Sequence, residues 1–287
     1  MALADSVPGV SGGTIAFLMG FYDEFINSIN DIVSGSKEKK ISGIKFLIKL
    51  GIGWIIGMGL AVSILANVFE SGIYKVSSLF LGFIILAIPV MIAEEKECLK
   101  GKYQNIIFAI IGIAVVAGIT YFNSNGVVEH DVANLNIGLI LYLIVAGMVA
   151  ISAMVLPGIS GSTLLLIFGL YMPVISTVKE LMHFNFSNIL LIVFLGIGVI
   201  LGVIVVIRLI KKSLEKFRSQ TIYMVLGMMI GSLYAIVMGP TTLKVPKEAM
   251  SFSTFSIVFF IIGGVIVFGM QFLKKIFEGK EKADEKA

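Results

Sequence analysis

Apolar residues run along this chain in long blocks, and short polar stretches punctuate them. Blocks of roughly 18 to 25 residues match a hydrocarbon layer about 30 Å thick. The first half predicts spans at about 46–69, 76–93 and 104–122. They are preceded by an amphipathic stretch from Tyr22 to Val33 and a polar linker at 34–45. The second half opens with an apolar arm at 136–156 and a helical segment within 157–178. Spans then follow at about 187–210, 221–239 and 254–273. A Lys- and Glu-rich tail, 274–287, is expected to fray.

Composition turns this pattern into a class. The hydrophobic fraction is 57%, the charged fraction 14% and the mean hydropathy +1.02. A soluble domain carries about 25% charged residues, so this chain cannot clothe itself in a solvated surface. It reads as an all-α integral membrane protein. A net charge of +4 calls for no nucleic-acid partner when the lysines sit in short loops. The single cysteine, Cys98, excludes an internal disulfide and a cysteine metal cluster. Two histidines, His130 and His183, offer little to a metal or a catalytic triad, so no cofactor is expected. The chain enters its first motif almost at once, and no cleavable signal peptide is expected.

That motif is written twice. Pro8-Gly-Val-Ser-Gly-Gly-Thr14 runs on to Gly20-Phe-Tyr22, and Pro157-Gly-Ile-Ser-Gly-Ser-Thr163 runs on to Gly169-Leu-Tyr171. Pro, Gly, Ser, Gly, Thr, Gly and Tyr stay in register at an offset of 149 residues, so the copies open the two halves of a 287-residue chain. Each half therefore predicts one motif-bearing re-entrant hairpin plus three spans. The first repeat is 1–135 with its hairpin motif at 5–22, and the second is 136–273 with its motif at 154–171.

Charge sets the orientation of the halves. Of 22 basic residues, all but Lys75, Lys179, Lys244 and Lys247 fall in alternate loops or at the tail. Because Lys and Arg favour the cytoplasmic side of short loops, the linker, the loop at 94–102, the loop after Arg208 and the tail are placed inside. The loops at 123–135 and 179–186 are then both outside, so 136–178 enters and leaves by the outer face. The first motif segment enters and leaves by the inner face. Three spans between the copies invert one half against the other. This is the inverted-repeat plan in which broken helices meet near the midplane and hold a substrate. An old duplication kept only for packing is the alternative.

The motif chemistry is limited and specific. Proline stops a helix. Gly9, Gly12 and Gly13, like Gly158 and Gly161, let backbone turn tightly and approach a ligand. Ser11 or Thr14, and Ser160, Ser162 or Thr163, offer hydroxyls, with Ser11, Thr14, Ser160 or Ser162 able to cap a following helix. Helix starts of that kind suit phosphate or carboxylate. Neither window contains Lys or Arg, so hydroxyl and backbone donors are the only ligands available there. Gly9-Val10-Ser11-Gly12-Gly13 also spells a nucleophile-elbow pattern, but that pattern needs a strand before it and a histidine to follow, His130 and His183 both fall in outer loops by charge, and the second copy breaks it. Among charged residues, Asp5 and Glu24 flank the first motif and are candidates for proton coupling. Asp23, Glu94 and Glu95 read as solvated interface. Arg208, ending a long apolar run, either snorkels or meets a lipid phosphate.

Asp5-Ser-Val-Pro-Gly-Val-Ser-Gly-Gly-Thr14 and Leu156-Pro-Gly-Ile-Ser-Gly-Ser-Thr163 resemble a bacterial membrane family of polyprenyl-phosphate transporters, the PopT type, long filed as a domain of unknown function. The resemblance covers nearly the whole chain. It implies recycling of undecaprenyl phosphate, the lipid carrier of cell-wall precursors, from the outer to the inner leaflet of the bacterial cytoplasmic membrane. Family members usually carry a longer segment before the first motif, where this chain has only Met1 to Val7. A phosphate headgroup held by the paired turns, with its isoprenoid tail left in lipid, is the leading expectation. A secondary transporter of a small anion is the alternative, and a packing-only scaffold a third class. A lateral opening would favour lipid, a closed aqueous vestibule a small anion, and a sealed dry interface around Ser11 and Ser160 the scaffold. The partners implied are the polyprenyl phosphate and surrounding membrane lipids; the oligomeric state stays open.

Overall fold

The computed structural model describes the chain except residues 6–10, 125–135, 159, 160, 162, 163, 166, 167, 243–245 and 285–287, with further side chains, among them Asp5 and 61–71, also outside the description. The described residues form helices and no strands. Two short helices come first: α1 (Ala2–Asp5), before the first motif, and α2 (Gly12–Leu18), which begins within it. α3 (Tyr22–Ser34) follows, with Tyr22, Ile26 and Ser28 on its buried face, as the amphipathic pattern predicts. α4 (Lys37–Glu94) is 58 residues long. Then come α5 (Lys96–Leu99), α6 (Ile106–Ser124), α7 (Ile137–Val155), α8 (Tyr171–Met182), α9 (Ile189–Lys216), α10 (Arg218–Met238) and α11 (Ile257–Asp284).

Five stretches among the described residues are long and apolar enough to cross a membrane: Gly72–Glu94, Tyr103–Tyr121, Ile189–Lys216, Arg218–Thr241 and Ile257–Ile276. The expected span at 46–69 is helical backbone inside α4, although many of its side chains lie outside the description. Instead of a loop between the first two spans, α4 is kinked at one residue: Gly72 leaves helical geometry at φ −123°, ψ 21°. Pro89 sits inside the same helix without ending it. The tail differs from expectation as well. α11 continues to Asp284, because nothing between Phe272 and Asp284 breaks a helix except Gly279, a single tolerated glycine.

Packing follows a cross-over plan. α6 lies along α10, α11 along α4, and α7 along α9. Glycines let these backbones approach: Gly227 faces the Ala109 carbonyl and Gly112 the Met224 carbonyl, while Gly82 faces the Phe260 carbonyl and Gly263 the Leu79 carbonyl. A polar pin closes one end of two of these pairs. Asn105 Nδ2 donates to Ser219 Oγ at 2.9 Å, and the Ser256 amide donates to Ser78 Oγ at 2.9 Å. Ile84, Ile222 and Met229 fill the centre. Outward faces stay apolar: Ile55, Ile200 and Val265 are all more than 60% exposed, which water would penalise and lipid does not.

Candidate substrate site at the junction of the two motif copies

The first motif resumes after Val10 at Ser11, whose extended backbone (φ −127°, ψ 154°) places it as the N-cap of α2. Its hydroxyl does not cap. Ser11 Oγ donates instead to the Leu156 carbonyl at 3.0 Å, just before Pro157 of the second copy. This corrects the capping expectation for Ser11. The correction has a physical cause. α7 breaks at Val155, Pro157 has no N–H to give, and the last carbonyls of a broken helix in an apolar interior need donors from elsewhere.

Three further contacts complete the junction. The Gly158 amide donates to Thr14 Oγ1 at 3.2 Å. Tyr22 OH donates to the Val155 carbonyl at 3.2 Å. Gly13 faces the same carbonyl so closely that a methyl group there would lie 2.6 Å from its oxygen. Gly158 itself adopts φ +89° against the backbone of Met228, a conformation and a clearance that only glycine meets comfortably. The Tyr22 ring packs on Phe17 with centroids 4.6 Å apart. Ser11 and Thr14 have no solvent exposure, and Gly12, Gly13, Pro157, Gly158 and Gly161 are buried. The structure thus brings together Ser11, Gly13 and Thr14 from one copy and Gly158 from the other. Gly9, Ser160, Ser162 and Thr163 lie outside the described residues.

The flanking candidates sit elsewhere. Glu24 is exposed and lines an open cleft of about 360 Å³ with Asn27, Ser28, Asp31, Lys39, Ser42 and Gly43. Only the backbone of Asp5 is described, at the end of α1. Arg208 is exposed near the end of α9 and donates to Ser34 Oγ at 2.9 Å. Asp23, Glu94 and Glu95 are more than the solvated interface that the sequence predicts. Arg218 Nε donates to Glu95 at 2.9 Å, a second guanidinium nitrogen binds the other Glu95 oxygen, and a third donates to Asp23 at 2.9 Å. Glu95 is only 13% exposed. Lys274 pairs with Glu94 at 2.7 Å, and Gln271 donates to the Leu18 carbonyl at 2.9 Å. α10 and α11 therefore both hold the turn that follows α2. Nearby, burial pushes the Cys98 thiol up to about 11, helped by a hydrogen bond to and the charge of Glu95 and opposed by Arg218 and Lys102.

The chain has relatives among known proteins. Residues 1–254 match the family model VCA0040-like, described as undecaprenyl phosphate translocase-like. A polyprenyl-phosphate transporter of Staphylococcus aureus is 35% identical over 93% of this chain and 91% of its own length. This chain belongs to that family. A polyprenyl-phosphate transporter of Vibrio cholerae is 30% identical over 81% of this chain and 73% of its own length. No solved structure matches. Membership makes the chain a multi-pass membrane transporter and not an enzyme, which also removes the hydrolase pattern at Ser11 from consideration. Sequence reasoning missed two members of the junction and its surroundings. Tyr22 carried a signal, since a tyrosine ends both motif windows. Arg218 carried none, because its partners, Asp23 in α3 and Glu95 just past α4, are distant in sequence.

Proposed function

We propose that this protein moves polyprenyl phosphate across the membrane, with undecaprenyl phosphate returning from the outer to the inner leaflet for reuse in cell-wall synthesis. The observation that carries the reading is the match of residues 1–254 to the undecaprenyl phosphate translocase-like family. The two motif copies meet directly, Ser11 on the Leu156 carbonyl and Thr14 on the Gly158 amide, sealed as a packing role alone would also have them, so they form a headgroup site only on parting. The names of both relatives agree with it. A phosphate needs several short donors at one point, and this junction supplies hydroxyls and amides without a buried cation whose desolvation would be costly. In the state described, Ser11 and Thr14 bond to the other half and are enclosed. Substrate enters when the halves part, freeing Ser11 Oγ, Thr14 Oγ1 and the Gly158 amide, with Gly12, Gly13, Gly161, Ser160, Ser162 and Thr163 completing the headgroup site. The isoprenoid tail stays in lipid throughout.

Inverted repeats supply the movement. The last span of each half lies on the middle span of the other, α6 on α10 and α11 on the part of α4 beyond Gly72, as a pseudo-two-fold exchange requires. The 1–135 and 136–273 halves then rock about the motif junction, with the tail cytoplasmic. Arg208 receives the headgroup at the inner surface, and Glu24, open to its cleft, or Asp5 carries the coupled proton.

The test is a leaflet-resolved assay of labelled undecaprenyl phosphate in vesicles. Native protein flips the lipid, and Ser11→Ala with Ser160→Ala abolishes flipping. Unchanged flipping in the double variant would sink the paired-turn mechanism. Uptake of a water-soluble anion in place of the lipid would favour the small-anion reading. A native protein that moves neither lipid nor anion would leave the sealed junction with a packing role only.

A further inference from the structure

The reading above leaves Tyr22 unassigned, although its hydroxyl binds the broken end of α7 directly. Val155 and Leu156 present adjacent carbonyls beyond the last full turn, and the first half provides one donor for each. Ser11 serves Leu156 and Tyr22 serves Val155. The two donors differ in what else they can do. Ser11 belongs to the motif and must leave its carbonyl to reach a phosphate. Tyr22 is 3% exposed, is packed against Phe17 and starts a different helix. Its ring fixes where the hydroxyl can go, so it can stay on Val155 while Ser11 departs.

We propose that Tyr22 is a positioning residue for transport: it keeps the end of α7, and hence the Pro157–Gly158 turn, in register while Ser11 exchanges the Leu156 carbonyl for substrate. Without that second donor, two adjacent carbonyls would lose their partners together when Ser11 moves, and the break would have no fixed geometry to offer a headgroup. Tyr22 acts through the backbone of the second motif and does not touch substrate. The inference rests on the polyprenyl-phosphate reading for its transport consequence, but its structural half stands without it.

Tyr22→Phe removes one oxygen and leaves the ring stacked on Phe17. In native vesicles assayed across a range of undecaprenyl phosphate content, the half-saturating lipid fraction rises about fivefold or more in the variant, while the thermal midpoint shifts little. A merely structural role would lower the amount of folded protein and the maximal rate together and leave half-saturation alone. A second measurement is independent of transport. With Cys98→Ser as background, the cysteine in Leu156→Cys is half-buried beside the junction, and adding Tyr22→Phe speeds its maleimide labelling at least tenfold. Equal labelling rates overturn the inference whether or not the lipid is the substrate. Faster labelling with unchanged half-saturation overturns the transport role alone. An inert native protein would instead count against the transport reading, with the labelling result still deciding Tyr22.

Discussion

The amide of Gly158 donates its proton to the hydroxyl of Thr14, 144 residues earlier in the chain, at 3.2 Å. Thr14→Val keeps the shape and removes the acceptor, leaving a buried N–H unpaired at a cost of about 1–3 kcal/mol. A lower melting midpoint in detergent is expected, with Thr14→Ser recovering most of it. An unaltered midpoint in Thr14→Val would show that the amide finds another partner.

Gly13 gives a steric test of the same junction. An added methyl would lie 2.6 Å from the Val155 oxygen, and that atom is backbone held by Tyr22, so α2 must shift away from α7. Gly13→Ala is expected to lower lipid flipping at least tenfold while the protein still inserts. Gly51→Ala, on α4 where a methyl meets nothing, serves as the control and retains full activity. Equal activity in the two variants would mean that the close approach is not used.

Arg218 predicts a different signature. It is 39% exposed, yet its partner Glu95 is only 13% exposed, so removing the guanidinium strands a carboxylate with little water. Arg218→Ala should cost about 1–2 kcal/mol, less than a fully buried pair, and the difference from native should shrink as salt rises. Arg218→Lys keeps the charge but cannot bridge two Glu95 oxygens and Asp23 in one plane, so it restores only part. Full restoration by lysine in a denaturation series would argue for simple charge balance.

Cys98 reports on the same cluster. Its thiol is held up to about 11 by burial and by Glu95, so at pH 7 the reactive thiolate is scarce. The sign follows directly. Maleimide labelling should be slow at neutral pH and rise roughly tenfold per pH unit towards the raised value. Glu95→Gln lowers that value and speeds labelling at pH 8. A labelling rate like that of a free thiol would show that Cys98 is not enclosed.

Orientation has its own check. Cysteines at Gly126 and His183, in a Cys98→Ser background, are expected to label from outside only, because both loops fall opposite the lysine-rich ones. Labelling of either from the cytoplasm alone would overturn the inverted topology.

Much of this architecture was legible before any coordinates. Hydropathy marked α6, α7, α9, α10 and α11 because each span is apolar over its full length, and the Tyr22–Val33 pattern marked α3 because its two faces differ. The repeated Pro-Gly turn marked the junction because helix breaks at membrane depth need a reason. What stayed hidden was partnership. Ser11 could cap its own helix by every local rule, and only the unmet carbonyl of Leu156, brought in by the other half, decides otherwise. The bend at Gly72 was hidden too, since a glycine inside an apolar run looks the same whether it packs or turns. Asp23 lies in the first turn of α3, Glu95 just past α4 and Arg218 at the start of α10, and nothing in their spacing joins them.

The exchange of final helices has a consequence for how the chain is made. α6 leaves the ribosome long before its partner α10, and α4 waits longer still for α11. During insertion the first half therefore sits in the bilayer with its glycine-bearing faces on α4 and α6 unmatched, open to lipid or to the insertion machinery. A chain stopped after residue 135 would hold two incomplete helix pairs. Supplied as separate polypeptides, the two halves should find each other, because each carries the missing half of the other's packing.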